Sequence, residues 1–363
     1  MSLRLVKMSI FLSGALGLSV AHGARVKMPD APIVKKVKAL VPVAPVQASD
    51  AERADALNRR EAPAVRFKSR FFQLVRPVSD LPKLTKDKPA LALILGDRSS
   101  SMDGTFKNSD VTKKKAMMMT INQAIADFIE RNAYDDTVKP RIEIGAFAYH
   151  SKYVNGEGRD VVQNLLNPIL NKGVTDKAQR RVIATLPELM ENPRGHKELV
   201  PGAGEQPIWI GTLADGGTPM RKGFRRLRSV YAGWSADKSA GRLVLGIHVT
   251  DGESTDGSPE KQVRKLSKEV ATRGDKLLMT NIHLSSKGTT ADGVIFPTDE
   301  DADRFDEHGQ MLFKMSSLVP PEIASRLAAK GIKVKPGARM MAYNSTVEGF
   351  ASVFAAGSSV AAQ

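Results

Sequence analysis

Five oxygen-bearing side chains stand where a metal could use them. The stretch LALILGDRSSSMDG, Leu91–Gly104, runs from pure hydrocarbon into Asp97 and then Ser99, Ser100 and Ser101. Thr218 in DGGTP and Asp251 in VTDGE offer the same kind of atom. Asp97, Ser99 and Ser101 are spaced i, i+2, i+4, so in an irregular turn they can aim at one centre. The set holds two carboxylates and three hydroxyls, all hard oxygen donors. Such donors suit Mg²⁺, Mn²⁺ or Ca²⁺ and not a soft metal. Mg²⁺ keeps waters and uses few carboxylates, which leaves a coordination position for an outside Asp or Glu. Ser100, Glu253 and Ser254 fall beside these motifs and form a candidate rim. Read singly, each residue also has a structural role: Asp97 and Asp251 as turn or cap residues, the serines as turn formers, Thr218 as a helix cap.

The elements that must position these residues read as alternating strands and helices. That alternation is the signature of βαβ units and a mostly parallel sheet. ALALILG is apolar on both faces, as a central strand must be. The pattern predicts a helix over Ser109–Asn132, with Met118, Ile121, Ile125 and Phe128 forming one stripe. A strand follows at Arg141–His150, then an irregular stretch, 155–206, with one helix near Asp176–Met190. Thr218 and Pro219 read as the start of a helix whose buried face is Met220, Phe224, Leu227 and Tyr231. Arg242–Glu253 contains a second central strand. A helix at PEKQVRKLSKEVATR, a strand at KLLMTNIHLSS, a short strand near Ala338–Tyr343 and a last helix from Val347 complete the pattern. In such sheets ligands bind beyond the carboxyl ends of the strands, and both aspartates stand there. His248 and His283 lie inside apolar strands and read as core; Trp209 and Trp234 read as packing. The acidic run TDEDADRFDE lacks the glycine-centred spacing of a calcium loop and reads as surface.

The bulk properties bound the rest. The 363 residues contain no cysteine, which excludes disulfides, thiolate metal sites and cysteine nucleophiles. The net charge of +15 is uneven: residues 1–90 carry seventeen Lys and Arg against seven Asp and Glu. Residues 1–23 have a basic start, an apolar run from Met8 to Ala21 and small residues after it, the layout of an export signal. Residues 24–88 are rich in Val, Ala, Pro and Lys and read as a basic, largely unstructured linker. Within it FKSRFFQLVRP reads as a segment that docks on the domain. The α/β domain occupies 89–363. No transmembrane span is evident after residue 24.

DRSSS matches the D-x-S-x-S motif of the von Willebrand factor A domain, Thr218 in GGTP its second-loop threonine, and Asp251 in TDG its third-loop aspartate. The segments stand in the family's order, and from about Pro89 onward the sequence resembles that family. The segments WIGTLADGGTPM, HVTDGESTDGSP, LLMTNIHLSS, VIFP and LFKMSSLVP resemble a bacterial intracellular branch of it. Members of that branch are typically encoded beside a metal-dependent protein phosphatase and a serine/threonine kinase, and some are linked to tellurite resistance. The resemblance implies a Rossmann-like, open, six-stranded sheet with helices on both faces. It also implies a metal ion contacted by Ser99, Ser101 and Thr218 and held by Asp97 and Asp251 directly or through water. Two positions depart from the pattern: Ser100 replaces a usual glycine, and Gly96 a bulkier apolar residue. The export-like start points to the periplasm, whereas the resembled branch is cytoplasmic.

These observations favour a non-enzymatic module that binds an acidic group of a partner protein through a divalent ion. A kinase or phosphatase is the partner class the resemblance suggests. Two other readings compete. One is a metal-dependent phosphohydrolase with Asp97 as nucleophile, although no general base, Ser–His pair or nucleophile elbow accompanies it. The other is nucleic-acid binding through the basic tail, for which no base-reading motif is present.

Overall fold

The computed structural model describes residues 71–105, 111–134, 137–154, 157–198, 205–212, 216–284, 293–344 and 353. The chain divides into two units, Met1–Lys68 and Ser69–Gln363. The first lies outside the described residues, and with it the export-like segment and most of the basic linker. So do residues 345–352 at the start of the expected last helix; Val353 is helical and buried. No described helix is long and apolar enough to cross a membrane.

Along the chain the main elements are strand β1 (Ala90–Asp97), helix α1 (Lys113–Asn132), strands β2 (Ile142–Val154), β3 (Glu157–Asn164) and β4 (Ala184–Thr185), and helices α2 (Leu186–Glu191) and α3 (Met220–Ser235). Strand β5 (Leu243–Thr250), helix α4 (Glu260–Thr272), strands β6 (Lys276–His283) and β7 (Val294–Ile295), helices α5 (Glu307–Met315) and α6 (Pro321–Ala328), and strand β8 (Met341–Tyr343) follow. The sheet runs β7-β8-β6-β5-β1-β2-β3, with β4 beside β2. Strands β8, β6, β5, β1 and β2 are parallel, and β7, β3 and β4 are antiparallel additions. Among the described residues this sheet has eight strands where the resemblance implies six.

Every residue of β1 is buried, because helices cover both faces. Ala92 and Ile94 meet the α1 layer with Ile121, Ile125 and Phe128. Leu91, Leu93 and Leu95 meet the other layer, with Phe224 and Leu227 of α3, Val263 and Leu266 of α4 and Phe313 of α5. The alternation follows from the two-residue period of a strand. The chain passes from β1 to β2 on one side and later returns to place β5 on the other. The strand order therefore reverses around β1, and its carboxyl end is the edge at which such sheets bind ligands.

Several local expectations shift. Helix α1 begins at Lys113 rather than Ser109, because Thr112 caps it, accepting a bond from the Lys115 N–H at 3.3 Å. The helix expected over Asp176–Met190 is replaced by a short turn at Lys177–Gln179, strand β4 and helix α2. Thr185 and Glu188 form a reciprocal capping box there, and Pro187 sits in the first turn, so the helix cannot start earlier. The stretch 155–206 also supplies edge strand β3. Upstream of Pro89, Leu74, Val75, Val78, Leu81 and Leu84 are buried in the core of the second unit. The Leu74 N–H donates to Lys314 O at 3.1 Å, and the Arg76 N–H to Ser267 Oγ at 3.1 Å.

Helix α3 lies close on the sheet because Gly223 has no side chain. A Cβ there would stand 2.7 Å from Tyr149 Cδ1 and 3.2 Å from Leu95 Cδ1 and Cδ2. Alanine is favoured over glycine in a helix by about 1 kcal/mol, yet overpacking a tight core costs about 1–3 kcal/mol. The rigid ring of Tyr149 decides between them. Gly223→Ala is expected to lower the stability measured by urea denaturation by about 1 kcal/mol; a stabilised variant would contradict this packing account.

Candidate metal centre

Asp97 is the last residue of β1 and is fully buried. Its two oxygens are held separately: Oδ1 accepts from the Ser99 N–H at 2.8 Å, and Oδ2 accepts from the Thr250 hydroxyl at 2.8 Å. Thr250 is the last residue of β5, so one hydrogen bond ties the ends of the two central strands together. After Asp97 the chain turns into a short 3₁₀ helix, Ser100–Asp103, with Ser99 at its N-cap. Ser99 Oγ and Ser101 Oγ lie 2.9 Å apart. The sequence pattern of alternate oxygens therefore becomes a real cluster. Ser100 fits without strain, because its backbone is part of the helical turn and does not have the positive φ that would call for glycine. At Gly96 the space of a side chain is taken by Met117, whose Sδ would lie 2.8 Å from an added Cβ.

Thr218 comes to the same edge by a different route. The Ser100 N–H donates to Gly216 O at 2.9 Å, and the Ser151 N–H to Gly217 O at 3.1 Å. These bonds seat the double glycine between the β1 loop and β2. Gly216 has φ +64°, and a Cβ there would lie 1.8 Å from Ser151 O, so no side chain can be placed. The Thr218 backbone is clasped by Thr255, whose hydroxyl accepts from the Thr218 N–H at 3.1 Å and whose N–H donates to Thr218 O at 2.9 Å. Among the described residues the Thr218 hydroxyl makes no hydrogen bond to Asp97, Ser99 or Ser101. Thr218 does not cap α3. Asp256 does, accepting from the Arg221 and Lys222 N–H groups at 2.8 Å each, while Pro219 holds the N-cap position.

Asp251 follows Thr250, and its side chain is 7% exposed. Its Oδ2 lies 2.6 Å from the Lys113 ammonium, itself only 5% exposed. Sequence reading passed over Lys113, one of three consecutive lysines. Of the rim residues, Ser100 and Glu253 are exposed. Ser254 turns into its own loop, with Oγ 3.0 Å from Asp256 Oδ1 and 2.9 Å from Gly257 O.

Burial and the nearby charge of Asp251 push the Asp97 carboxyl up to about 7, against the pull of its bonds to Ser99 and Thr250. Burial first, and Asp97 next, push the Tyr149 phenol well above its ordinary value. His248 is a structural residue. Asn281 donates through Nδ2 to Ser316 Oγ at 2.9 Å, so its Oδ1 accepts from His248 Nδ1–H at 3.0 Å. His248 Nε2 then accepts from the Tyr149 hydroxyl at 2.9 Å. Burial lowers the imidazole to about 4, so it stays neutral. Trp209 and Trp234 pack as read, with indole N–H groups on Leu189 O and Glu143.

The donors fit a hard dication on their chemistry. Two carboxylates stand at one edge with little water, Asp97 is raised by burial and then by the charge of Asp251, and the Ser99 and Ser101 hydroxyls are paired in the loop that follows Asp97. Among the described residues no group of three or more His, Cys, Asp and Glu could hold a metal ion. Any metal bound here would therefore rest on hydroxyls as much as on carboxylates.

Asp97 gives a pH test. A carboxyl whose folded pKa is raised favours the folded state fully below its unfolded value. That contribution is lost as pH rises through about 7. His248 acts in the opposite direction, losing stability as pH falls from 6.5 toward 4. The difference between wild type and Asp97→Asn isolates the first group. In chelator, Asp97→Asn should gain stability relative to wild type between pH 5 and pH 8, by on the order of 3 kcal/mol. A pH-independent difference in thermal melts would contradict the assigned environment of Asp97.

No family model matches the chain, and no curated protein matches it. Among solved structures it is similar to the vWF domain of the type V pili tip protein Mfa5 from Porphyromonas gingivalis, at 12% identity and TM-score 0.26, over 46% of this chain and 39% of that one. It is similar to the PilB minor pilin from Streptococcus sanguinis, at 13% identity and TM-score 0.32, over 77% and 61%. It is also similar to the manganese-loaded Plasmodium vivax TRAP protein, at 12% identity and TM-score 0.25, over 55% and 58%. In each case the match spans less than two thirds of the other chain. Likenesses at this level carry no inference about the chemistry of this chain.

Proposed function

We propose that the chain is a divalent-metal-dependent protein-binding module, with Asp97, Ser99, Ser101, Thr218 and Asp251 holding Mg²⁺ or Mn²⁺. The observation that supports this reading is the buried Asp97 carboxylate at the end of β1, bonded to the Ser99 N–H and to Thr250 and raised by burial and by the charge of Asp251, beside a loop whose Ser99 and Ser101 hydroxyls lie 2.9 Å apart. Bound there, the ion supplies a Lewis-acidic point for an Asp or Glu of a partner. The protein's own residues do the rest. Thr250 and the Ser99 N–H fix the Asp97 carboxylate, Thr255 fixes the loop of Thr218, and Gly216 brings that loop against the β1 turn.

Binding is favoured over hydrolysis by the surroundings of Asp97. Its carboxylate is fully buried and each oxygen already accepts a bond, which suits a fixed support and not an attacking nucleophile. Neither of the buried imidazoles His248 and His283 is poised as a base: His248 is locked between Tyr149 and Asn281, and His283, which bonds the Asp251 backbone, is pushed below its ordinary value by burial. The resemblance to a branch encoded beside a kinase and a phosphatase makes those enzymes the first partners to test, in a role linked to phosphorylation-dependent stress signalling.

Calorimetric titration of Mn²⁺ and Mg²⁺ into wild type, Asp97→Ala and Ser101→Ala tests the reading. Wild type should bind one ion. Each variant should bind at least about tenfold more weakly. Equal heats for wild type and Asp97→Ala would refute it. A partner kinase or phosphatase should be retained on the immobilised full chain in Mg²⁺ and released by chelator; retention unaffected by chelator would remove the metal from recognition.

A further inference from the structure

Lys113 is unlike the two lysines beside it. Lys114 pairs with Asp103 at the surface, and Lys115 is exposed. Lys113 turns inward from the first position of α1, with its N–H on Gly104 O at 2.9 Å and its stem along Gly104. A Cβ on Gly104 would lie 3.5 Å from Lys113 Cε. The ammonium ends 2.6 Å from Asp251 Oδ2, with both side chains almost wholly out of water. A buried ammonium is costly unless a charge partner holds it, so Asp251 is what keeps Lys113 inside. Arg98, next to Asp97 in sequence, turns away and donates to Gln163 Oε1 at 2.9 Å.

Among the described residues the edge thus holds the Asp97 and Asp251 carboxylates and the Lys113 ammonium. The same Asp251 oxygen that would serve a metal is engaged by a cation belonging to the protein. A dication brings two charges to the pair of carboxylates where the ammonium brings one. Its approach to Asp251 meets like-charge repulsion from Lys113. Resting on the metal reading above, we propose that Lys113 is a built-in counter-ion that competes with the metal for Asp251. In the metal-free protein it neutralises Asp251 and holds the third loop against α1. When a dication binds, Lys113 gives up that oxygen. Metal affinity is therefore set as much by the release of Lys113 as by the five oxygen ligands. Loading also frees the start of α1, which couples occupancy to the position of this helix end.

The test uses the full chain and Mn²⁺ as the probe. Lys113→Met keeps the length of the side chain and removes its charge. It should melt at a lower temperature than wild type in chelator, because Asp251 loses its partner. It should also bind Mn²⁺ about tenfold or more tightly by calorimetry, a gain of about 1.4 kcal/mol. Lys113→Gln, which leaves a neutral donor for Asp251, should move both readouts the same way and serves if Lys113→Met does not fold. Lys113→Arg retains the charge and should keep wild-type affinity within about threefold, on the same energy scale. Neutral variants that bind Mn²⁺ no more tightly than wild type would overturn the competition while leaving the metal reading intact. Binding of Mn²⁺ by none of the proteins would overturn the metal reading, and this inference with it.

Discussion

Two carboxylates must share one dehydrated edge of the sheet, and the structure around that edge answers this constraint. Strands β1 and β5 are parallel neighbours, with Leu91 opposite Val244 and Gly96 opposite Val249. That register brings Asp97 level with Thr250 and leaves Asp251 just beyond. Like charges brought together out of water repel strongly, and each also loses its hydration. The protein meets this with a backbone N–H and a hydroxyl on Asp97 and an ammonium on Asp251. Among the described residues one ammonium stands against two carboxylates, of which Asp97 is pushed up to about 7, and a further cation would favour the ionised form of both.

Rigidity makes such an arrangement tolerable. β1 is buried on both faces, so its last residue cannot swing toward water without dragging the core. α3 is pressed onto β1 and β2 at Gly223, and its first turn is capped by Asp256 from the loop after β5. The loop after β5 therefore reaches two places: Asp251 faces Lys113, and Thr255 and Asp256 hold the Thr218 loop and α3. Movement of the third loop on metal binding would be felt at both helix starts. The row Tyr149–His248–Asn281–Ser316 lies under the same edge and satisfies its own buried polar atoms, so it supports the strands without adding charge.

Much of this was legible in the residues. The hydrocarbon run of β1 has no solvent-facing alternation, so it reads as a central strand, and an aspartate after such a strand stands at the ligand edge of the sheet. The spacing of Asp97, Ser99 and Ser101 foretold a turn of clustered oxygens. Non-local pairings were not legible. Asp256 caps a helix 35 residues earlier in the chain, where the local signal pointed to Thr218. Lys113, Lys114 and Lys115 are chemically identical, and only packing against Gly104 and Asp251 separates the buried one. Strand β3, EGRDVVQN, carries few apolar residues because it is an exposed edge, so its sequence reads as loop. The short strand β4 is defined by pairing with β2 and by the capping box after it, neither of which shows in periodicity.

The most direct measurement is anomalous diffraction from crystals of the full chain grown with Mn²⁺. The account places one anomalous peak among Asp97, Ser99, Ser101, Thr218 and Asp251, with the Lys113 ammonium withdrawn from Asp251. A well-ordered site with no manganese and Lys113 still bonded to Asp251 would contradict it.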